Sequence, residues 1–187
     1  GGMVITDFSE LAKRAQSMRS HGWARGERSD FQGRFWFTNP GYNVRPTEIN
    51  AAIGIEQLKK LDNMNKRRKE IAETMWKMLS PFDELRLMTP TEKVDCSWFA
   101  FPVILKRGSR DGFASHLEAH DIHTRPIVAG NLTRHPAFQN IGRVHGNLEN
   151  ASEVMDRGLY WGCHQDVTSD DIEKLAWATR KYFKVAA

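Results

Sequence analysis

Apolar residues recur along this chain with two different periods, and the switches between them divide it into elements. The short run Met3-Val4-Ile5 predicts an opening strand. Asp7 or Ser9 is then placed to cap a helix over residues 9–20, in which Leu11, Ala15 and Met18 share a face and which His21-Gly22 ends. From 23 to 42 the periodicity vanishes, and Phe31, Phe35, Trp36 and Phe37 sit among mixed charges and glycines. Bulky rings in a loop predict packing against a ligand, a partner subunit or a missing portion of the fold.

A long helical pattern follows over 46–79, started by Pro46 or Thr47-Glu48 and expected to bend near Asp62-Asn63 or to carry the chain from one domain to the next. Leu61, Met64, Arg68, Ile71, Met75 and Met78 form its stripe, in which only Arg68 is polar. The remainder reads as a small α+β module. Strand patterns at 97–106, 123–129 and 159–163 alternate with helix patterns at 111–120, 151–157 and 169–184, the last preceded by the capping sequence Thr168-Ser169-Asp170-Asp171. A small sheet covered on one face is the expected result. The boundary between the two parts is expected at 80/81, giving segments 1–80 and 81–187.

Composition narrows the picture. With 187 residues, 40% of them hydrophobic, the chain can bury a core, and no apolar run approaches the roughly 18 residues of a membrane span. Its two cysteines, Cys96 and Cys163, form no disulfide framework or zinc motif and suit a reducing cytoplasm. The net charge of +4 would suit nucleic acid, an acidic membrane or a phosphorylated ligand. However, the basic run Lys59-Lys60 and Lys66-Arg67-Arg68-Lys69 is interleaved with Glu56, Asp62, Glu70 and Glu73, as on a solvated helix face.

Dinucleotide, P-loop, zinc-protease and serine-hydrolase motifs are absent from the sequence. His116 and His120 have helical metal-ligand spacing but no evident third ligand, so two exposed helix residues are the alternative. Cys163-His164 reads either as a thiolate-imidazole pair or as a buried thiol beside a loop histidine. Two segments carry more. Gly41-Tyr42-Asn43-Val44-Arg45-Pro46 brings an amide and a guanidinium to a helix start, suiting a phosphate; alternatively Asn43 caps the helix and Arg45 pairs with a carboxylate. Arg125, Asn131, Thr133 and Arg134 lie about a short turn and suit a polyoxygenated or phosphorylated substrate, or are surface arginines beside a Gly-Asn turn.

Three stretches together carry a family resemblance: Gly1-Gly2-Met3-Val4-Ile5-Thr6-Asp7, Met18-Arg19-Ser20-His21-Gly22-Trp23, and Gly41-Tyr42-Asn43-Val44-Arg45 through Glu56-Gln57-Leu58-Lys59-Lys60-Leu61-Asp62. They resemble the second half of the DegT/DnrJ/StrS pyridoxal-phosphate-dependent nucleotide-sugar aminotransferases. The run from Arg125-Pro126 to His135-Pro136, with Gly158-Leu159-Tyr160-Trp161-Gly162-Cys163-His164, is similar to the 4-keto-6-deoxy-sugar 3-dehydratase branch.

The resemblance implies the C-terminal part of a fold type I transferase, spanning α/β to α+β: the end of a large domain, a connecting helix and a small domain. It further implies PLP or PMP as cofactor, a nucleotide-sugar substrate and a homodimer with interfacial sites. Asn43 and Arg45 would touch the cofactor phosphate, and Trp98, Arg125, Asn131 and Arg134 would lie on the substrate side. In that family the Schiff-base lysine, or the histidine replacing it, lies upstream of the glycine pair. The chain is therefore expected to lack that residue, to form no Schiff base and to be inactive alone. A non-catalytic association module is the alternative, and a basic nucleic-acid-binding domain a more distant one.

Overall fold

Residues 46–79, which read as one long helix, form two. In this computed structural model, which describes residues 2–24, 28 and 30–184, α2 (Glu48–Leu58) stops at the Lys59-Lys60 turn and α3 (Leu61–Leu79) starts afresh. The break comes slightly before the expected bend at Asp62-Asn63. It also separates two compact units, Gly1–Lys59 and Lys60–Ala187. That division precedes the expected 80/81 boundary because α3 buries Ile71, Ala72, Met75 and Leu79 in the core of the second unit.

In the first unit, α1 (Ser9–Met18) follows a segment with no strand: Val4 and Ile5 are exposed and have no strand partner among the described residues. Its N-cap is Phe8, without a side-chain bond, rather than Asp7 or Ser9. The helix ends where expected, with His21 and Gly22 both in the left-handed region. Residues 22–24 then run against 36–38, through the Trp23–Phe37 bridge and hydrogen bonds from Ala24 N to Trp36 O (2.9 Å) and from Thr38 N to Gly22 O (3.0 Å). Residues 25–27 and 29 of the aromatic segment, and Gly1 of the glycine pair, lie outside the described residues. Neither α1 nor α2 contains a buried residue. Ile49, Ile53, Ile55 and Leu58 of α2 are all exposed.

The second unit is built on a four-stranded antiparallel sheet in the order β1-β2-β4-β3, comprising β1 (Leu85–Leu87), β2 (Ala100–Leu105), β3 (Thr124–Pro126) and β4 (Gly158–Gly162). Register pairs Phe101 with Trp161, Val103 with Leu159 and Thr124 with Trp161. Phe101, Val103 and Leu105, two apart, turn to one face and enter a core with α3, α4 (Arg110–Glu118) and α6 (Ser169–Phe183). Ile104 has the opposite parity and is buried as well, with α5 (Glu149–Arg157) touching β2 and β4. The sheet is thus covered on more than the one face expected. Strand β1 was not legible, since three residues are too few for a period.

The predicted cap of α6 forms as a reciprocal pair. Thr168 Oγ1 accepts from Asp171 N at 3.2 Å, while Asp171 Oδ2 accepts from Thr168 N at 2.9 Å. Arg68, the polar member of the α3 stripe, donates through Nη1 to the carbonyls of Trp98 (3.0 Å), Phe99 (3.3 Å) and Cys163 (3.2 Å). One guanidinium thereby ties α3 to the start of β2 and the end of β4, satisfying carbonyls beyond the strand ladder. The basic run carries the expected countercharges, Lys59 with Glu56 (2.6 Å) and Arg67 with Glu70 (3.4 Å), and Lys69 also pairs with Asp95.

Candidate functional site

The segment Gly41–Arg45 is a strap laid along the end of α1. Tyr42 N donates to Met18 O (2.7 Å), His21 N to Tyr42 O (2.8 Å) and Val44 N to Arg19 O (3.0 Å), and Ser20 bridges Asn43. The approach is so close that a Cβ on Gly41 would lie 2.2 Å from Gly22 N. Only glycine fits there, which explains the residue opening the motif. Beyond the strap, Thr47 rather than Asn43 caps α2, accepting from Asn50 N at 3.3 Å. Asn43 Oδ1 instead accepts from Arg45 Nε at 3.4 Å, and Arg45 has no carboxylate partner among the described residues. Among the described residues, then, Asn43 does not cap the helix and Arg45 is not paired with a carboxylate. Arg45 borders a groove of about 430 Å³ with Lys13, Gln16, Ser17, Arg19, Ser20 and Trp23.

Beside that groove the aromatic segment collapses on itself. Trp23 stacks on Phe35 (5.2 Å between centroids, 11° between planes) and tilts against Phe37 at 6.3 Å, while the Arg28 guanidinium lies 4.2 Å from the Trp36 ring. Phe35 and Phe37 keep much of their surface exposed. Arg45 also borders the depression formed by His21, Trp23, Phe35 and Phe37, so the guanidinium joins a basic groove to an aromatic one.

In the second unit the residues grouped by sequence are dispersed. Arg125, on edge strand β3, lines a depression with Phe99, Glu118, His123, Thr124, Tyr160 and Trp161. Glu118 accepts from Thr124 N (2.6 Å) and pairs with His123 Nδ1 (3.1 Å); the Thr124 amide, followed by the His123 contact, holds its carboxyl below the usual range. Trp98 lines a different depression, with Ala72, Trp76, Met88, Cys96 and Phe101.

Asn131 is buried and its amide is occupied. Nδ2 donates to Ser152 Oγ of α5 at 2.9 Å, and Oδ1 accepts from Thr133 N and Oγ1 at 3.0 and 2.7 Å. Arg134 pairs with Asp156 of α5 at 2.7 Å. Gly130, at φ +58°, completes this turn, because a Cβ there would lie 2.5 Å from Met155 Cβ. Asn131 and Arg134 therefore fasten the turn to α5.

The remaining candidates resolve locally. His116 Nε2 lies 3.0 Å from Ala178 O and His120 Nδ1 2.7 Å from His116 O, and both residues are partly buried rather than exposed. No metal-holding group of three occurs among the described residues. Cys163 is buried, with Sγ donating to Arg68 O at 3.6 Å; burial pushes its thiol up to about 11, which excludes a thiolate at neutral pH. Sequence reasoning did not single out Arg19 or Tyr160. The first passes for an ordinary cation at a helix C-terminus, the second for a strand aromatic. No described helix is long and apolar enough to cross a membrane.

Comparison with known proteins sets these features in a family. The chain is 37% identical to the GDP-4-keto-6-deoxy-D-mannose 3-dehydratase of Escherichia coli O55:H7, covering 94% of this chain and 49% of that protein. It is 35% identical to the Yersinia pseudotuberculosis enzyme of the same name, over 94% of this chain and 48% of that one. The solved E. coli GDP-4-keto-6-deoxy-D-mannose-3-dehydratase with bound hydrated PLP superposes with a TM-score of 0.84 at 34% identity, covering 93% of this chain and 48% of that one. The chain thus spans about half the length of the relatives it matches, in the C-terminal fold type I arrangement that the resemblance implied. A family model matches residues 1–180, and the chain belongs to the DegT/DnrJ/EryC1/StrS aminotransferase family.

Proposed function

We propose that this chain forms the C-terminal part of a cytoplasmic, homodimeric enzyme that uses PLP or PMP to act on a nucleotide-linked 4-keto-6-deoxy sugar. Removal of the 3-hydroxyl is the favoured reaction, amination at C4 the alternative. Relatives named as 3-dehydratases of a GDP-linked keto sugar support this reading, as does a solved neighbour carrying bound GDP-perosamine. The first unit would end the cofactor-binding domain and the second would be the small domain.

The observation that carries the reading is the strap: an exposed guanidinium held by the Asn43 amide, with no carboxylate partner among the described residues. That donor set fits a phosphate, to which charge-assisted N–H bonds are strong and directional. Asn43 and Arg45 would bind the cofactor phosphate across the dimer. When bound, the cofactor's pyridine ring supplies the electron sink for chemistry beside the sugar carbonyl. Arg125 and Tyr160 would meet the substrate, with Trp98 at its margin. Asn131 and Arg134 would act by holding their turn to α5 rather than by contact. The chain alone is expected to be inactive and to form no Schiff base.

The exposed apolar residues of α2 favour one competing reading, a non-catalytic association module. A chimera in which residues 1–187 replace the matching half of the E. coli O55:H7 enzyme separates the two. We expect the chimera to bind PMP, followed by ligand fluorescence, and Arg45→Gln to weaken binding about tenfold or more, the scale of a lost charged hydrogen bond. Equal PMP affinity in the two proteins would refute the phosphate role and favour the module.

A further inference from the structure

We propose that the exposed face of α6 is a contact site for a second copy of this chain, the two α6 helices lying antiparallel across a two-fold axis near Ala176. The contact belongs wholly to the second unit and is independent of cofactor and substrate.

The pattern of the face comes first. Asp170, Lys174, Trp177 and Lys181 follow steps of four, three and four, so they form one exposed stripe, flanked on one side by Glu173 and Arg180. Ile172, Leu175, Ala178 and Thr179 of the same helix turn into the core. Trp177 is 48% exposed, and Met78 of α3 adds apolar surface to the depression that it borders with Asp170, Glu173, Lys174 and Arg180. The indole is already held in place: His120 meets it in a T-shaped contact at 5.1 Å, and the Lys181 ammonium lies 4.8 Å from the ring. An aromatic side chain fixed before contact loses little entropy on association, which suits it as an anchor.

Charge selects the occupant. The stripe is acidic toward the start of α6 and basic toward its end. A helix dipole favours acidic residues in the first turn and basic ones in the last, but gives no reason for an exposed tryptophan between them. Asp170, Glu173, Arg180 and Lys181 have no ion-pair partner among the described residues, and Lys174 reaches Asp121 only at 3.8 Å.

A second copy laid antiparallel sets Asp170 of one chain opposite Lys181 of the other, Lys174 opposite Trp177, and Glu173 beside Arg180. Two-fold symmetry makes each of these pairings twice. The first and third are ion pairs, and the second places an ammonium against an indole. A parallel copy would instead set Glu173 on Glu173 and Arg180 on Arg180, and like charges repel. The face is therefore complementary to itself in one orientation.

Sedimentation equilibrium of the 187-residue chain tests the contact in an Ile53→Asp background, which removes association through α2, over about 10 μM to 1 mM, the range suited to a small interface. Dimers that weaken as salt rises are expected. Glu173→Arg and Arg180→Glu should each weaken dimerisation about tenfold with an unchanged circular dichroism spectrum, since each turns two attractions into two repulsions. The double variant Glu173→Arg/Arg180→Glu should regain the original affinity, and an equimolar mixture of the two single variants should form heterodimers. Trp177→Ala should weaken dimerisation about tenfold or more. A chain that stays monomeric to the highest concentration, dimers indifferent to the charge variants, or a double variant no better than the singles overturns the antiparallel contact.

Discussion

Arg68 shows how one side chain can be conspicuous in sequence and explained only by structure. Its place in an apolar stripe marked it as unusual, but its three carbonyl acceptors come from residues some thirty and ninety positions away, which no helical period can announce. Arg68→Met keeps the stem and removes the donors, and should cost about 2 kcal/mol in urea unfolding, the value of charged hydrogen bonds with partly buried acceptors left unmet. Thiol chemistry gives a second residue-scale test. Cys163 is fully buried and Cys96 partly exposed, so a thiol reagent should modify Cys96 first and reach Cys163 only on unfolding. Because burial raises the Cys163 pKa to about 11, its contribution to stability is complete below the ordinary thiol range and is lost as pH rises toward that value. Asn131 teaches the opposite lesson. A buried amide engaged by its own turn and by α5 looks, in sequence, the same as one waiting for a sugar.

Elements were legible where periodicity or capping chemistry is strong. Helices α1, α4, α5 and α6 and strands β2 and β4 fall within a few residues of their sequence patterns. The failures have physical causes. Met3-Val4-Ile5 has strand composition, but strands form only with partners, and none pairs with it among the described residues. The α2–α3 break occurs at two lysines, good helix formers, so propensity gave no signal. The cap of α6 was readable because its chemistry is local. Thr168→Ala should destabilise the chain by about 1 kcal/mol in thermal or urea unfolding near neutral pH. The hydrogen bonds from Thr168 hold the Asp171 carboxyl below its usual range, so their stabilisation is present above the ordinary carboxylate pKa and lost as pH falls through the depressed value. The Thr168→Ala penalty should shrink over that acidic window.

At the scale of the whole molecule, the two units differ in what they bury. The second has a continuous core from Ile71 to Ala178, whereas Ala24 is the one buried hydrophobic residue of the first among those described. Hydrogen exchange on the isolated chain should therefore protect α3, β2, β4 and α6 strongly and α1 and α2 weakly; equal protection would show that the first unit is stabilised by contacts of its own. Ile49, Ile53, Ile55 and Leu58 are exposed, and in the proposed homodimer they would be covered, so Ile53→Asp should reduce self-association in sedimentation. The net charge of +4, which alone could suggest nucleic acid, includes Arg19 and Arg45 on one groove. The most direct test of the functional account is product analysis of the chimera with the E. coli O55:H7 enzyme, supplied with cofactor and GDP-4-keto-6-deoxy-D-mannose and read by mass spectrometry and NMR. The account predicts a sugar that has lost its 3-hydroxyl; a chimera that folds and binds PMP yet returns the sugar unchanged would contradict it.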